Sequence, residues 1–389
     1  MDYHFDQEID RRGTDSIKWD VAANDVVPMW IADMDFKTAP AVQKAIEARV
    51  AHGVFGYTRT PERFYRAIAG WWKKRHGYTL QHDWIRPVTG VIPALSATIK
   101  ALTAKGDKVL VQPPVYNHFY IAIEHCDRQV VENNLILTEG GYRIDFTDFE
   151  AKAADPAVKL LMLCNPHNPA GRVWTADELQ RIGELCARHD VLVLADEIHS
   201  DLIHTGYKHT PFCSFASIDG LQWVTVCSPS KTFNLAGLQV GYLFSAYPEL
   251  MVPIRKLLDN QEMELLNPFG IEGLIAAYEQ GEEWLEALMV YLGDNFAFLV
   301  NFCSQHLPQI NVVPLEATYL AWLDCRAVVT SSVDVVERLK DQEKVWLNPG
   351  TMYGQAGEGF LRVNIACPRS VLKQGLIRLA NGINSVGAR

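Results

Sequence analysis

Between residues 86 and 231 the chain alternates short apolar runs with amphipathic stretches, and every apolar run stops at a residue that carries chemistry. Lys108 to Gln112, Val158 to Cys164, Val191 to Ala195 and Trp223 to Cys227 are rich in β-branched or aliphatic residues, as in strands buried on both faces. The first is followed by Pro113-Pro114-Val115-Tyr116 and the second by Asn165-Pro166-His167-Asn168-Pro169-Ala170-Gly171-Arg172. The third is followed by Asp196-Glu197-Ile198-His199 and the fourth by Ser228-Pro229-Ser230-Lys231. Upstream, Thr89-Gly90-Val91-Ile92 opens a helix directly after Arg86 to Val88. Strands separated by helices predict an α/β fold with a mainly parallel sheet. In such a sheet the strand ends share one edge, where ligands bind. Gly90, Tyr116, Asn165, Asp196 and Lys231 are thereby expected at one place.

The residue types at that edge suit one kind of ligand. Ser228 and Ser230 offer two hydroxyls beside the Lys231 amine, which suits a phosphate next to an aldehyde. Glycine before a helix start, here Gly90, lets the first backbone N–H groups face an anion. Asp196 follows four apolar residues, an expensive place for a charge without a partner. Taken singly each has an ordinary reading: a solvated lysine, a turn asparagine, a packing tyrosine. Asp196, Glu197, His199 and His204 lack the helical His-x-x-x-His spacing of a metal site.

The remainder frames this core. Residues 1–27 are polar and irregular and read as an arm; Pro28 to Phe36 (PMWIADMDF) reads as a loop packed into a crevice. Helical spacing covers Ala39 to Val50 and Glu62 to His76, and Phe55-Gly56-Tyr57-Thr58-Arg59 lies in a glycine-punctuated loop between them. Thr175-Ala176-Asp177-Glu178 has capping-box spacing. Beyond Pro268 helices at 270–279 and 282–306, strands at 318–323, 344–347 and 359–365, and a closing helix at 369–383 suggest a smaller α+β unit. The expected division is an arm and part of the small domain over 1–44, a large ligand-binding domain over 45–280, and a small domain over 281–389. With 46 acidic against 36 basic residues, a net charge of −10, nucleic acid is not an expected partner. The charged N-terminus lacks a signal-peptide core. No apolar run approaches the length needed to cross a bilayer, and no membrane partner is expected. Eight scattered cysteines without a Cys-x-x-Cys pair suggest a reducing, cytoplasmic setting.

Over nearly its whole length the chain resembles pyridoxal 5'-phosphate (PLP) enzymes of the aspartate-aminotransferase fold type, and within them the cystathionine β-lyase branch called MalY/PatB. The stretches that carry the resemblance are Pro28 to Phe36, Phe55 to Arg59 (FGYTR), Asn165 to Arg172 (NPHNPAGR), Asp196 to His199 (DEIH) and Ser230 to Leu238 (SKTFNLAGL). The resemblance implies that Lys231 holds PLP covalently and then serves as base and acid at the substrate Cα. It implies that Asp196 pairs with the pyridine nitrogen, Asn165 donates to the ring's phenolic oxygen and Tyr116 stacks on the ring. Ser228, Ser230 and the N–H groups of Val91 and Ile92 would hold the phosphate. Tyr57 would reach the phosphate of the other subunit of a homodimer with shared sites, and Arg362 would clamp the substrate carboxylate.

Two positions depart from the aminotransferase pattern. Gln239 stands eight residues after the lysine, where many aminotransferases carry a phosphate-binding arginine. His199 stands three after the acid, where they carry a tyrosine; it remains a cofactor-side candidate. No second arginine for a distal carboxylate can be assigned. The implied activity is a carbon–sulfur β-lyase that converts a sulfur amino acid to a thiol, pyruvate and ammonia. The alternatives are an aminotransferase, which returns the proton to the cofactor, and a PLP-fold binding protein that restrains a transcription activator.

Overall fold

The computed structural model describes residues 3–387 apart from 262 and 264. Its centre is a seven-stranded sheet in the order Ile85–Val88, Gly241–Phe244, Trp223–Cys227, Leu192–Asp196, Val158–Cys164, Lys108–Val111, Gln129–Glu132. Gly241–Phe244 runs antiparallel to both of its neighbours, and the pairings from Trp223–Cys227 to Gln129–Glu132 are parallel. The expected mainly parallel α/β sheet is therefore present. Its one antiparallel strand has no signature in the sequence, because three apolar residues after a glycine carry no directional signal. All residues of Trp223–Cys227, Leu192–Asp196 and Gly241–Phe244 are buried, as expected for strands covered on both faces.

Helices cover the sheet. Val91–Leu102 and Asn117–His125 follow the strands Ile85–Val88 and Lys108–Val111 and lie along one face, and Ala176–Arg188 begins at a complete capping box between Thr175 and Glu178. Pro268–Gln280 is apolar on nearly every side. It packs against Pro40–His52 and Glu62–His76 and buries Ile271, Leu274 and Ile275. A second, antiparallel sheet of four strands contains Leu320–Asp324 and Phe360–Asn364 at its centre. The arm joins this region: Val27–Pro28 pairs with Val345–Trp346.

The 25-residue helix Glu282–His306 corrects one expectation, since it is long and apolar enough by composition to cross a membrane. Here it packs Trp284, Leu285, Leu288, Leu292 and Leu299 into the core, and Asn295 donates to the carbonyls of Ile365 and Cys367. All eight cysteines are buried and free.

The arm is fastened by a compact charge cluster. Asp35 and Lys18 are almost fully buried and lie 2.8 Å apart. Arg11 bridges Asp33 and Asp35, both at 2.7 Å, and Trp19 Nε1 donates to Asp35. Two cations balance two carboxylates, so no net charge is left in the interior. This cluster fixes residues 30–36, which pass over the sheet edge.

Candidate active site

The register brings the strand ends together: Cys164 pairs with Asp196, and Asp196 with Val226. Beyond that edge lies a cavity of about 410 Å³. Of the residues singled out in the sequence, Val91, Ile92, Tyr116, Asp196, His199, Ser228, Ser230, Lys231 and Arg362 line it. Two do not, Asn165 and Tyr57.

Asn165 is fully buried behind the cavity wall. Its Nδ2 donates to Glu197 Oε1 at 3.0 Å and to the Thr210 carbonyl at 3.1 Å. The side chain that reaches the cavity from this loop is Asn168. Its Oδ1 accepts from Arg362 Nη1 at 3.2 Å. The ring-facing role expected of Asn165 is therefore sterically open only to Asn168. The repeated Asn-Pro pair in the sequence offered both, and nothing local separates them. Tyr57 is 99% exposed on the loop between the helices Pro40–His52 and Glu62–His76, away from its own chain's cavity. Phe55 and Val54 beside it are exposed as well.

Lys231 sits in the short helix Pro229–Thr232, whose N-terminus Ser228 caps by accepting from Ser230 N. Ser228 then donates its hydroxyl hydrogen to the Val240 carbonyl at 2.6 Å. In this arrangement it orients the turn and is not a free donor. Ser230 and the first amides of Val91–Leu102 remain to face an anion. The Lys231 amine donates to the Ala32 carbonyl at 2.7 Å. Burial, with Arg362 nearby, brings its pKa down to about 8, although Asp33 and Asp196 pull the other way.

Asp196 is buried, and burial pushes its carboxyl up to about 7. A hydrogen bond from Ile198 N, 3.1 Å long, and the distant Lys231 charge only partly offset this. His199 is held down to about 3 by burial and by the Lys231 and Arg362 charges, so it is a neutral imidazole; its Nδ1 has no partner. Burial, then Asp196, raises the Tyr116 hydroxyl and keeps it neutral.

Arg362, in the middle of Phe360–Asn364, is 4% exposed. It donates to Asn168 and, at 2.9 Å, to the Trp30 carbonyl, and it lies over the Tyr353 ring. Its Nε is unpartnered, and no carboxylate pairs with it among the described residues. A buried cation without a counter-ion, facing a cavity, awaits an anion. The wall near it is formed by Trp30, Ile31, Ala32, Met352 and Tyr353. Both the arm loop and the glycine-rich loop after Pro349 therefore contribute.

These observations test PLP against the site. The cofactor has an aldehyde for a neutral amine, a ring nitrogen whose protonated form suits a buried carboxylate, and a phosphate for hydroxyl and amide donors. Lys231, Asp196 and the Ser230–Val91–Ile92 donors supply the matching groups around one cavity, so the residues present fit.

A profile of class I and II aminotransferases matches residues 24–379. The chain is 41% identical to cystathionine β-lyase PatB of Bacillus subtilis over 97% of this chain and 98% of that one. It is 36% identical to protein MalY of Escherichia coli, covering 99% and 100% of the two chains. Among solved structures, cystalysin of Treponema denticola, which contains a PLP cofactor, superimposes with a TM-score of 0.94 at 32% identity, over 99% of this chain and all of that one. The PLP-bound C–S lyase of Staphylococcus hominis gives 0.92 at 34% identity, over 98% and 99%. The fold, the cavity and this likeness across the whole length lead to one conclusion: the chain belongs to the class I and II aminotransferase family of PLP-dependent enzymes, in its MalY/PatB-like cystathionine β-lyase branch.

Proposed function

We propose that the protein is a carbon–sulfur β-lyase that cleaves L-cystathionine or a related S-substituted cysteine to a thiol, pyruvate and ammonia. One observation carries this reading: a half-buried amine, a buried carboxylate and a buried guanidinium without a counter-ion face one cavity. The names of the C–S lyases to which the chain is similar support the elimination over other outcomes.

When bound, PLP supplies an aldehyde for the substrate amine and an electron-withdrawing ring that makes the Cα proton acidic. Arg362 takes the substrate α-carboxylate through its planar donor fork. Asn168 accepts from the guanidinium, and its amide would be free to donate to the ring oxygen. Asp196, as a carboxylate, would keep the ring nitrogen protonated. Ser230 and the amides of Val91 and Ile92 would hold the phosphate, and Tyr116 would cover a face of the ring. Lys231 would tether the cofactor. As a neutral amine it would be the base at the substrate Cα. In the elimination the Cβ–S electron pair leaves with sulfur, and Lys231 would be the group placed to supply the proton that the departing thiolate takes up. Water converts the three-carbon remainder to pyruvate and ammonia. In a homodimer with shared sites, the exposed Tyr57 of one copy would reach the phosphate held by the other.

The test is to supply L-cystathionine to the PLP-loaded protein and follow pyruvate and free thiol together. Equimolar release supports the reading. A loaded protein that releases neither, or that exchanges amino groups with 2-oxo acids at catalytic rates instead, overturns it.

A further inference from the structure

Tyr319 has no counterpart among the residues read from the sequence, yet it meets Lys231 at a single atom. Its hydroxyl donates to the Ala32 carbonyl at 3.0 Å, and the Lys231 amine donates to the same oxygen at 2.7 Å. A carbonyl oxygen has two lone pairs, and here both are engaged. The carbonyl cannot turn, because Asn364 Nδ2 donates to the flanking carbonyls of Ile31 and Asp33 at 2.7 and 2.6 Å. The charge cluster of Arg11, Lys18, Asp33 and Asp35 anchors the same segment.

The other end of the contact is held under strain. Tyr319 is 1% exposed, and the residue before it, Thr318, has φ 74°. A β-branched residue in the left-handed region is a true outlier, and such strain persists only where the surroundings over-determine it. The surroundings do so here. Thr318 N donates to the Leu202 carbonyl, His204 Nε2 donates to the Thr318 carbonyl at 2.9 Å, and Leu320 N donates to Thr318 Oγ1. Leu202 and His204 belong to the segment that follows Asp196 and His199, and the Tyr319 ring lies edge-on to His199 with centroids 6.3 Å apart. The strained turn therefore aims one hydroxyl at one carbonyl.

We propose that Tyr319 is a positioning residue for Lys231: by occupying one lone pair of the Ala32 carbonyl, its hydroxyl fixes the direction and limits the strength with which the other lone pair holds the lysine amine. The inference rests on the reading of Lys231 as the amine that joins the cofactor. An ammonium is a stronger donor than an amine, so an undivided carbonyl favours the charged, unreactive form. Sharing the carbonyl favours the neutral amine. The other groups that act on this nitrogen are Arg362 from the small sheet, Asp33 from the arm and Asp196 from the large sheet. His118 and His199, both of which the lysine charge pushes down, also face it. Tyr319 itself stays protonated, because burial and then Asp33 raise its pKa.

The experiment uses apoenzyme of the full chain and follows covalent attachment of added PLP by absorbance as a function of pH. Wild type gives a midpoint set by the Lys231 amine. Tyr319→Phe keeps the ring and the packing and is expected to raise that midpoint by about half a pH unit or more, slowing attachment at neutral pH roughly threefold. In a Lys231→Ala background, which attaches nothing, adding Tyr319→Phe is expected to leave the dissociation constant of noncovalently bound PLP unchanged. An unmoved midpoint overturns the proposal. So does equal weakening of PLP binding by Tyr319→Phe with and without the lysine, which marks a structural role. Failure of the wild-type apoenzyme to attach PLP at all overturns instead the reading of Lys231.

Discussion

Replacing Asp196 by Asn changes the sign of its effect between the empty and the loaded protein. The carboxyl lies on the cavity floor with one backbone donor, Ile198 N, and burial pushes it from an ordinary 3.8 to about 7. For an acid this direction means that the folded state disfavours the charged form. The unfolded chain loses the proton near pH 4 and the folded chain holds it until near pH 7. Stability therefore falls as pH rises across that window, by about 1.4 kcal/mol per pH unit for this group alone. Above pH 7 the accumulated cost is about 4 kcal/mol. Asn keeps the shape and can accept from Ile198 N, but it carries no charge to desolvate. Urea unfolding of the apoenzymes is thus expected to show Asp196→Asn gaining on wild type by about 1.4 kcal/mol per unit between pH 4 and 7, then levelling off. In the loaded enzyme the order is expected to reverse, because the carboxylate would then have a protonated ring nitrogen as its partner. An ion pair near contact at an effective dielectric of 20 is worth about 4 kcal/mol, or roughly a thousandfold in pyruvate release. A stability difference between the apoenzymes that is flat with pH, or Asp196→Asn activity within tenfold of wild type, refutes the reasoning.

Other outcomes follow from the same geometry. Arg362→Lys keeps the charge but loses the two-donor fork, and kcat/KM for L-cystathionine is expected to fall about a hundredfold in steady-state assays. Lys231→Ala is expected to lose covalent PLP absorbance and to lower pyruvate release more than about a thousandfold. Asn165→Ala and Asn168→Ala should separate cleanly. The first removes buried bonds to Glu197 and the Thr210 carbonyl and costs about 1–3 kcal/mol in denaturant titrations while the folded fraction keeps its rate. The second leaves stability less affected and lowers kcat/KM about tenfold or more. For the shared-site dimer, mixing inactive Lys231→Ala with inactive Tyr57→Ala under subunit exchange is expected to restore up to about a quarter of wild-type activity, and mixing that restores none counts against Tyr57 acting across subunits.

What the sequence made legible follows from how local each signal is. A run such as Val158–Cys164, buried from both sides and closed by Asn-Pro, states its own strand and its own end. Glu282–His306 and Glu62–His76 likewise state their helices through spacing. Strand ends then converge by topology, which is why Asp196 and Lys231 could be placed together before any coordinates. What escaped depends on orientation and not on residue type. Asn165 and Asn168 belong to the same loop and each precedes a proline, and only the packing of Glu197 behind the sheet decides which of them turns inward. Ser228 was legible as a hydroxyl at the right place, but the Val240 carbonyl that takes its hydrogen comes from the unforeseen turn into Gly241–Phe244.

The deeper gap is in groups that act through main-chain atoms. Ala32 has no side-chain chemistry, and yet its carbonyl receives Lys231 from the large sheet and Tyr319 from the small one. The neighbouring Trp30 carbonyl receives Arg362 and Asn348 in the same way. Residues separated by some 200 and 290 positions thus meet on backbone oxygens whose placement depends on a charge cluster further up the arm. A motif such as Pro28 to Phe36 records this constraint only indirectly, through the Asp33 and Asp35 that hold the cluster. Its conspicuous side chains do not all face the chemistry. Asp35 and Met34 serve to set the path of the backbone, and the path is what presents the two carbonyls to the lysine and the arginine.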